Sequence, residues 1–145
     1  MIPGAFNGLV ARSAVLNGFK SLYISGAALT ASSGVPDIGI RDLSEFSKVI
    51  REVSTSSDLP ILADADTGFG EGEMVVRTVH EYFYNGATGL HIEDQVFPKR
   101  CGHLDGKELV KTKDFVKKVE LARKTSLQVS DGEFVICART DARGV

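Results

Sequence analysis

Two aspartates two residues apart, Asp64 and Asp66, head the run Asp64-Ala65-Asp66-Thr67-Gly68-Phe69-Gly70, and Glu93-Asp94 adds a second acidic position. Carboxylates held this close repel one another unless a cation or a proton lies between them. A hard, oxygen-preferring ion such as Mg2+ relieves the repulsion with few protein ligands and leaves positions for substrate oxygens. The plain alternative is a turn with a helix cap. Asp37, after Gly34-Val35-Pro36, reads equally as a turn residue or as a metal contact made through water. His91, two residues before Glu93, reads as a group packed behind the acids rather than as a ligand.

A second constellation follows. The segment Glu93 to His103 sets the Cys101 thiol beside two cations, Lys99 and Arg100, and a histidine, His103. Positive neighbours stabilise thiolate and suit the group to proton transfer near neutral pH, the alternative being an incidental loop cysteine. Cys137 lies inside an apolar strand pattern and reads as a small buried side chain. Arg139 opens Arg139-Thr140-Asp141-Ala142-Arg143; its planar guanidinium suits a bidentate grip on a carboxylate, or a salt bridge to one of the acids. Tyr23-Ile24-Ser25-Gly26-Ala27 offers two hydroxyls and a glycine that permits close backbone approach.

The elements that must position these groups are legible as an alternation. Pro3 to Phe6, Leu22 to Ser25, Ile61 to Asp66, Gly89 to Glu93 and Phe134 to Arg139 read as strands. Gly8 to Asn17, Leu43 to Ser54, Glu71 to Tyr84 and Lys113 to Thr125 read as helices, with Asn7, Asp42 and Thr112 as N-caps, Glu45 completing a capping box, and Gly18 and Gly86 as stops. Such a βα alternation implies a parallel sheet covered by helices. The longest connections, Gly26 to Arg41 and Asp94 to Lys111, follow strands, which is where α/β enzymes place their sites. Residues two apart on a strand share a face, so Tyr23 with Ser25, Asp64 with Asp66, His91 with Glu93 and Cys137 with Arg139 point one way. Leu22, Ile24, Ala63, Leu90, Ile92, Ile136 and Ala138 take the helix side. By length alone the units fit an open doubly wound sheet, because a barrel normally needs about 250 residues.

The chain has 145 residues, a net charge of -2 and no Lys/Arg run, and so no nucleic-acid footprint. No apolar run is long enough to span a bilayer, and Met1 lacks the flank and apolar segment of a secretory signal. An intracellular protein acting on small molecules is expected. Two cysteines make neither a disulfide framework nor a cysteine zinc site. No linker or internal repeat divides the chain, so residues 1–145 read as part of one domain.

Tyr-x-Ser-Gly-Ala at 23–27, Pro-Asp at 36–37, Asp-Ala-Asp-Thr-Gly-Phe-Gly at 64–70, Glu-Asp-Gln at 93–95 and Lys-Arg-Cys-Gly-His-Leu-Asp-Gly-Lys at 99–107 occur in this order. Together they resemble the isocitrate lyase and phosphoenolpyruvate mutase superfamily, and within it the methylisocitrate lyases, from Pro3 to Arg143. The Lys-Arg-Cys-Gly-His loop separates these lyases from the superfamily's phosphonate mutases and hydrolases, and Leu104 to Lys107 favours them over isocitrate lyase.

The resemblance implies an α/β fold, the N-terminal part of a single (β/α)8 TIM barrel with about five of its eight units. It implies Mg2+, or Mn2+ in its place, held by Asp64 and Asp66, with Asp37 and Glu93 acting through water. Ser25, Gly26, Ala27, Gly102 and Arg139 would bind a tricarboxylate substrate. Cys101, assisted by Lys99, Arg100 and His103, would protonate the carbanion left by carbon–carbon cleavage, and Tyr23 would handle the hydroxyl proton. The implied reaction is cleavage of 2-methylisocitrate to pyruvate and succinate in propionate catabolism, the methylcitrate cycle. An isocitrate or related 2-hydroxy acid lyase is the near alternative. It further implies a homotetramer in the cytoplasm, or in the mitochondrial matrix of a eukaryote. The family pattern continues past Val145, so residues 1–145 alone are expected to lack lyase activity and to self-associate. A reading of another class is a half-barrel without catalysis, serving as a folding or interaction module.

Overall fold

Local signals place the helices. In the computed structural model, which describes residues 1–145 and the surroundings of all but Gly144, the order is α1 (Gly8–Leu16), β1 (Leu22–Ile24), α2 (Gly26–Ser32), α3 (Leu43–Ser57), β2 (Ile61–Asp64), α4 (Glu73–Tyr84), β3 (Gly89–Glu93), α5 (Thr112–Ser130) and β4 (Val135–Arg139). Asn7 caps α1 by accepting from the Val10 amide at 2.9 Å. Asp42 and Glu45 close a reciprocal capping box on α3. α3 then buries Leu43, Phe46, Ile50 and Val53 at helical spacing, the stripe that seats a helix on a sheet.

The four strands are all parallel and lie in the order β1-β2-β3-β4. A doubly wound sheet reverses its strand order at a switch point, and no reversal occurs here. The sheet winds in one direction, as a (β/α)8 barrel does, and the open-sheet alternative is set aside. Leu22, Ile24, Ile61, Ala63, Leu90 and Ile92 are fully buried beneath the helices. Each large aliphatic residue among them contributes about 1.5–3 kcal/mol by leaving water.

Several expectations are corrected. The segment from Pro3 to Phe6 forms a single parallel bridge, Gly4 to Tyr23, rather than a strand. The first seven residues of the expected long loop after β1 are helix α2, capped by Ser25, whose Oγ accepts from the Ala28 amide at 3.3 Å. Lys111, not Thr112, precedes α5, which runs on to Ser130. Cys137 is exposed, not buried, and Ala138 on the other face is exposed as well. β4 is the edge of the sheet, so among the described residues only β3 flanks it.

Tyr82 on α4 is fully buried and donates from its hydroxyl to the Asp64 carbonyl at 2.6 Å, tying the helix layer to the end of β2. Tyr82→Phe leaves that carbonyl without its donor at nearly unchanged shape. It is expected to lower unfolding free energy by about 1 kcal/mol, read as a smaller urea midpoint at constant slope.

Candidate active site

The register sets the floor of the site. Asp64, His91 and Cys137 are aligned across β2, β3 and β4, and Glu93 is aligned with Arg139 one step further along. His91 Nδ1 lies 3.7 Å from Asp64 Oδ1, and His91 Nε2 shares a hydrogen bond of 2.8 Å with the Tyr23 hydroxyl. Burial holds the His91 pKa below its ordinary value against the pull of Asp64, so the ring is neutral. With its proton placed on Nδ1, facing Asp64, Nε2 accepts from Tyr23. Burial, then the charge of Asp64, raises the Tyr23 pKa and keeps the phenol protonated.

β2 stops at Asp64, so Asp66 reaches the same site by a turn, not by strand alternation. Its backbone sits at φ 46°, in the left-handed region that costs a non-glycine residue strain. Two contacts hold the turn from outside. Buried Lys118 on α5 donates to the Thr67 carbonyl at 2.8 Å and pairs with Glu71 at 2.6 Å, and Thr78 on α4 donates to the Gly68 carbonyl at 3.0 Å. Inside, Asp64 accepts from the Asp66 amide at 2.9 Å and from the Gly26 amide at 3.1 Å. A side chain at 26 would stand 3.0 Å from Asp64 Oδ2 and 3.3 Å from Asp66 Oδ1, which explains the glycine: the acids occupy that space.

Lys99 does not flank the thiol as a free cation. It is 3% exposed, and its Nζ lies 2.6 Å from Asp37 Oδ1 and 2.7 Å from Asp66 Oδ1. Burial works against the ammonium, but the Asp66 charge and the bonds to Asp37 and Asp66 outweigh it and raise its pKa. Arg100 also turns away, donating to the Asp105 carbonyl at 3.2 Å. The partner left to Cys101 is His103, with Sγ 3.9 Å from Nδ1. The expectation of a thiol between two cations is therefore corrected, because a buried carboxylate, Asp66, and a partly buried one, Asp37, outcompete a half-exposed thiol for the lysine.

Arg139 holds Asp141 with two parallel bonds of 2.9 and 3.1 Å and reaches Glu93 Oε2 at 3.2 Å. Gly102 packs so tightly on this guanidinium that an added Cβ would meet Nη2. Asp141 and Gln95 carry no assigned role in the sequence, and Asp94 stands there only as an added acidic position. Gln95 donates to Asp141 Oδ2 at 2.5 Å and clasps Arg100 by bonds of 2.9 Å in both directions. Asp94 accepts from Thr140 and from the Asp141 amide. The Glu93-Asp94-Gln95 and Arg139-Thr140-Asp141 triplets were visible, but their pairing follows only from the neighbouring positions of β3 and β4.

Burial, reinforced by Asp64, lifts the Asp66 carboxyl from 3.8 to about 6 despite Lys99. Burial lifts Glu93 from 4.5 to about 8 despite Arg139 and Lys99. A folded chain that holds a proton the unfolded chain releases is stabilised below the unfolded pKa and loses that stability as pH rises through the folded one. For Glu93 the window runs from 4.5 to about 8. Without metal, the urea midpoint should fall across that range, and Glu93→Gln should flatten its upper part. An unchanged slope in the glutamine variant would contradict the assignment.

Asp64, Asp66 and Glu93 are at most 5% exposed, and Glu93 Oε1 has no hydrogen-bond partner among the described residues. Buried acids short of compensating charge fit a divalent cation. Among the described residues no three His, Cys, Asp or Glu are arranged as a preformed metal site; Mg2+ is commonly held by one or two carboxylates plus water and substrate. No helix is long and apolar enough to cross a membrane.

A family profile for phosphoenolpyruvate phosphomutase matches residues 1–144. Over 144 residues the chain is 49% identical to a probable 2-methylisocitrate lyase 1 of Corynebacterium glutamicum, covering 99% of this chain and 46% of that protein. It aligns with a crystal structure of 2,3-dimethylmalate lyase, described as a PEP mutase/isocitrate lyase superfamily member, at a TM-score of 0.93 and 41% identity, covering 99% of this chain and 48% of the other. A phosphonopyruvate hydrolase in complex with oxalate and Mg2+ aligns at a TM-score of 0.85 and 35% identity, covering 97% and 47%. The chain spans about half the length of these relatives.

Proposed function

The chain belongs to the phosphoenolpyruvate phosphomutase family, and from that premise we propose that it carries the acid cluster and the proton-donating thiol of a carbon–carbon lyase that cleaves 2-methylisocitrate to pyruvate and succinate. One observation carries the reading. Lys99, two residues before Cys101, pairs with Asp37 and Asp66, and Gly102, the residue after it, packs on the Arg139 guanidinium, so the loop that bears the thiol rests on the same polar face as the acids and the arginine.

Ser25, Gly26, Ala27 and Arg139 would hold substrate carboxylates, and Gly102 and His103 would cradle the succinyl part. Arg139 exchanges part of its grip on Asp141 for substrate, which a planar, five-donor group can do without losing both partners. Tyr23 takes the substrate hydroxyl proton as it passes its own to His91 Nε2, so no free phenolate is needed. Cys101 then delivers a proton to the carbanion of the departing succinate. Asp64 and Asp66, with Asp37 and Glu93 through water, would hold Mg2+ or Mn2+, which when bound stabilises negative charge on the oxygens of the pyruvate-forming part.

The test, on the protein as expressed from its own gene, is release of pyruvate from 2-methylisocitrate with Mg2+, set against glyoxylate release from isocitrate and pyruvate release from 2,3-dimethylmalate and phosphonopyruvate. Highest kcat/KM on 2-methylisocitrate is expected. Preference for phosphonopyruvate, or no turnover of any hydroxy acid, would overturn the reading.

A further inference from the structure

One charge is buried where packing does not ask for it. The inward face of α5 carries Lys118, Ala122, Thr125 and Ser126 at helical spacing, and the Lys118 side chain is only 3% exposed. An ammonium is costly to bury, and an apolar side chain of similar size is often as stable or more so in its place. Seating α5 therefore does not account for a lysine.

Its Nζ ends on the turn that carries Asp66. It donates to the Thr67 carbonyl at 2.8 Å, and among the described residues no other donor reaches that oxygen. The same peptide unit is held at its other end, where the Gly68 amide donates to the Ala65 carbonyl at 2.7 Å and closes a four-residue turn with Asp66 in second place. In this stretch two residues other than glycine take left-handed backbone, Asp66 at φ 46° and Phe69 at φ 56°, and such conformations persist only where the surroundings hold them. Phe69 is held by the edges of Phe46 and Tyr82, with ring centroids 5.2 and 6.4 Å away. Asp66 depends on the peptide that Lys118 pins.

We propose that Lys118 is a positioning residue for the metal site, one that presets the turn so that Asp66 faces Asp64 before any cation arrives. This role presupposes the metal site read above. Without the ammonium, the buried Thr67 carbonyl has no donor and the Thr67–Gly68 peptide is free to rotate toward another. The Glu93 amide still donates to the Asp66 carbonyl at 2.9 Å and Thr78 to the Gly68 carbonyl at 3.0 Å, so the turn loosens rather than unfolds. A cation then binds only the fraction of molecules in which the turn is built, and its apparent affinity falls by that fraction.

The probe is Mn2+ alone, without substrate, on the protein as expressed from its own gene. Calorimetric titration should give Lys118→Met an affinity about 10- to 100-fold weaker than the native chain, the usual cost of changing a group that orients a metal's ligands. A lysine that served only to seat α5 would lower the metal-free urea midpoint when replaced and leave the affinity of folded molecules unchanged, and that result would overturn the proposal. Amide exchange followed by NMR is the second arm and needs no variant. In the metal-free native chain the Gly68 amide should exchange as slowly as that of Ala65, which is bonded to the His91 carbonyl. Exchange at Gly68 faster by about 100-fold or more would mean that the turn is not built without metal, and would overturn the presetting while leaving the metal site standing. No Mn2+ binding by the native chain, or binding that Asp66→Ala does not affect, would overturn both.

Discussion

Cys101→Ser, in the protein as expressed from its own gene, is expected to cut kcat on 2-methylisocitrate by about 10²- to 10⁴-fold, the usual contribution of a positioned acid or base. KM should change little. A serine hydroxyl fills nearly the same space but is a far poorer acid at neutral pH, so binding survives while protonation of the carbanion slows. The structure sharpens this by removing one explanation. Lys99 is committed to Asp37 and Asp66, and Arg100 to a carbonyl, so the neighbour within reach of the thiol is His103. His103→Ala should therefore reproduce part of the loss. Cys137→Ser serves as the control: that thiol is exposed on β4, aligned with His91, and its exchange should be mild. Near-normal turnover by the Cys101 variant would remove the proton-donor role.

The parts of the molecule that follow from neighbours in sequence were legible in advance. The Asp42–Glu45 capping box and the Asn7 cap are written within four residues of chain, and the apolar parity of Leu22, Ile24, Ala63, Leu90 and Ile92 encodes which face the helices cover. The parts that failed depend on partners far away in sequence. Lys99 looks like a cation for Cys101 because it is two residues from it, yet its partners Asp37 and Asp66 lie on other connections. Asp141 gains its meaning only when β4 pairs with β3 and brings Gln95 and Arg139 onto it. Cys137 shows a limit of pattern reading: its strand has a buried strand's composition, but burial depends on what flanks the strand, and β4 is at the sheet edge. Ser25 reads as the last residue of a strand and Gly26 to Arg41 as a long loop, but Ser25 is the cap that starts a short helix.

Asp66→Asn is expected to weaken Mn2+ binding by about 100-fold or more, since groups that only orient a metal's ligands already cost about 10- to 100-fold when changed. The asparagine variant isolates charge from shape. Its amide oxygen can still accept from Lys99, so the tie to the Cys101 loop has a surrogate, while one of the two negative charges that call for a cation is gone. Stability should move the other way from affinity. Burial and the Asp64 charge already push the Asp66 carboxyl up to about 6, which means the fold without metal disfavours its ionised form near neutral pH. Removing that charge should leave the metal-free urea midpoint at pH 7 equal to or above that of the native chain, although breaking a buried pair by deleting one partner typically costs about 3–5 kcal/mol. The difference arises because Lys99 keeps Asp37 at 2.6 Å, so its ammonium is not stranded. Adding Mn2+ should stabilise the native chain and not the variant, as ligand linkage requires. A variant that binds Mn2+ as tightly as the native protein would take Asp66 out of the metal site. One that binds weakly but is also strongly destabilised without metal would mean that Asp66 is held chiefly as the lysine's counterion.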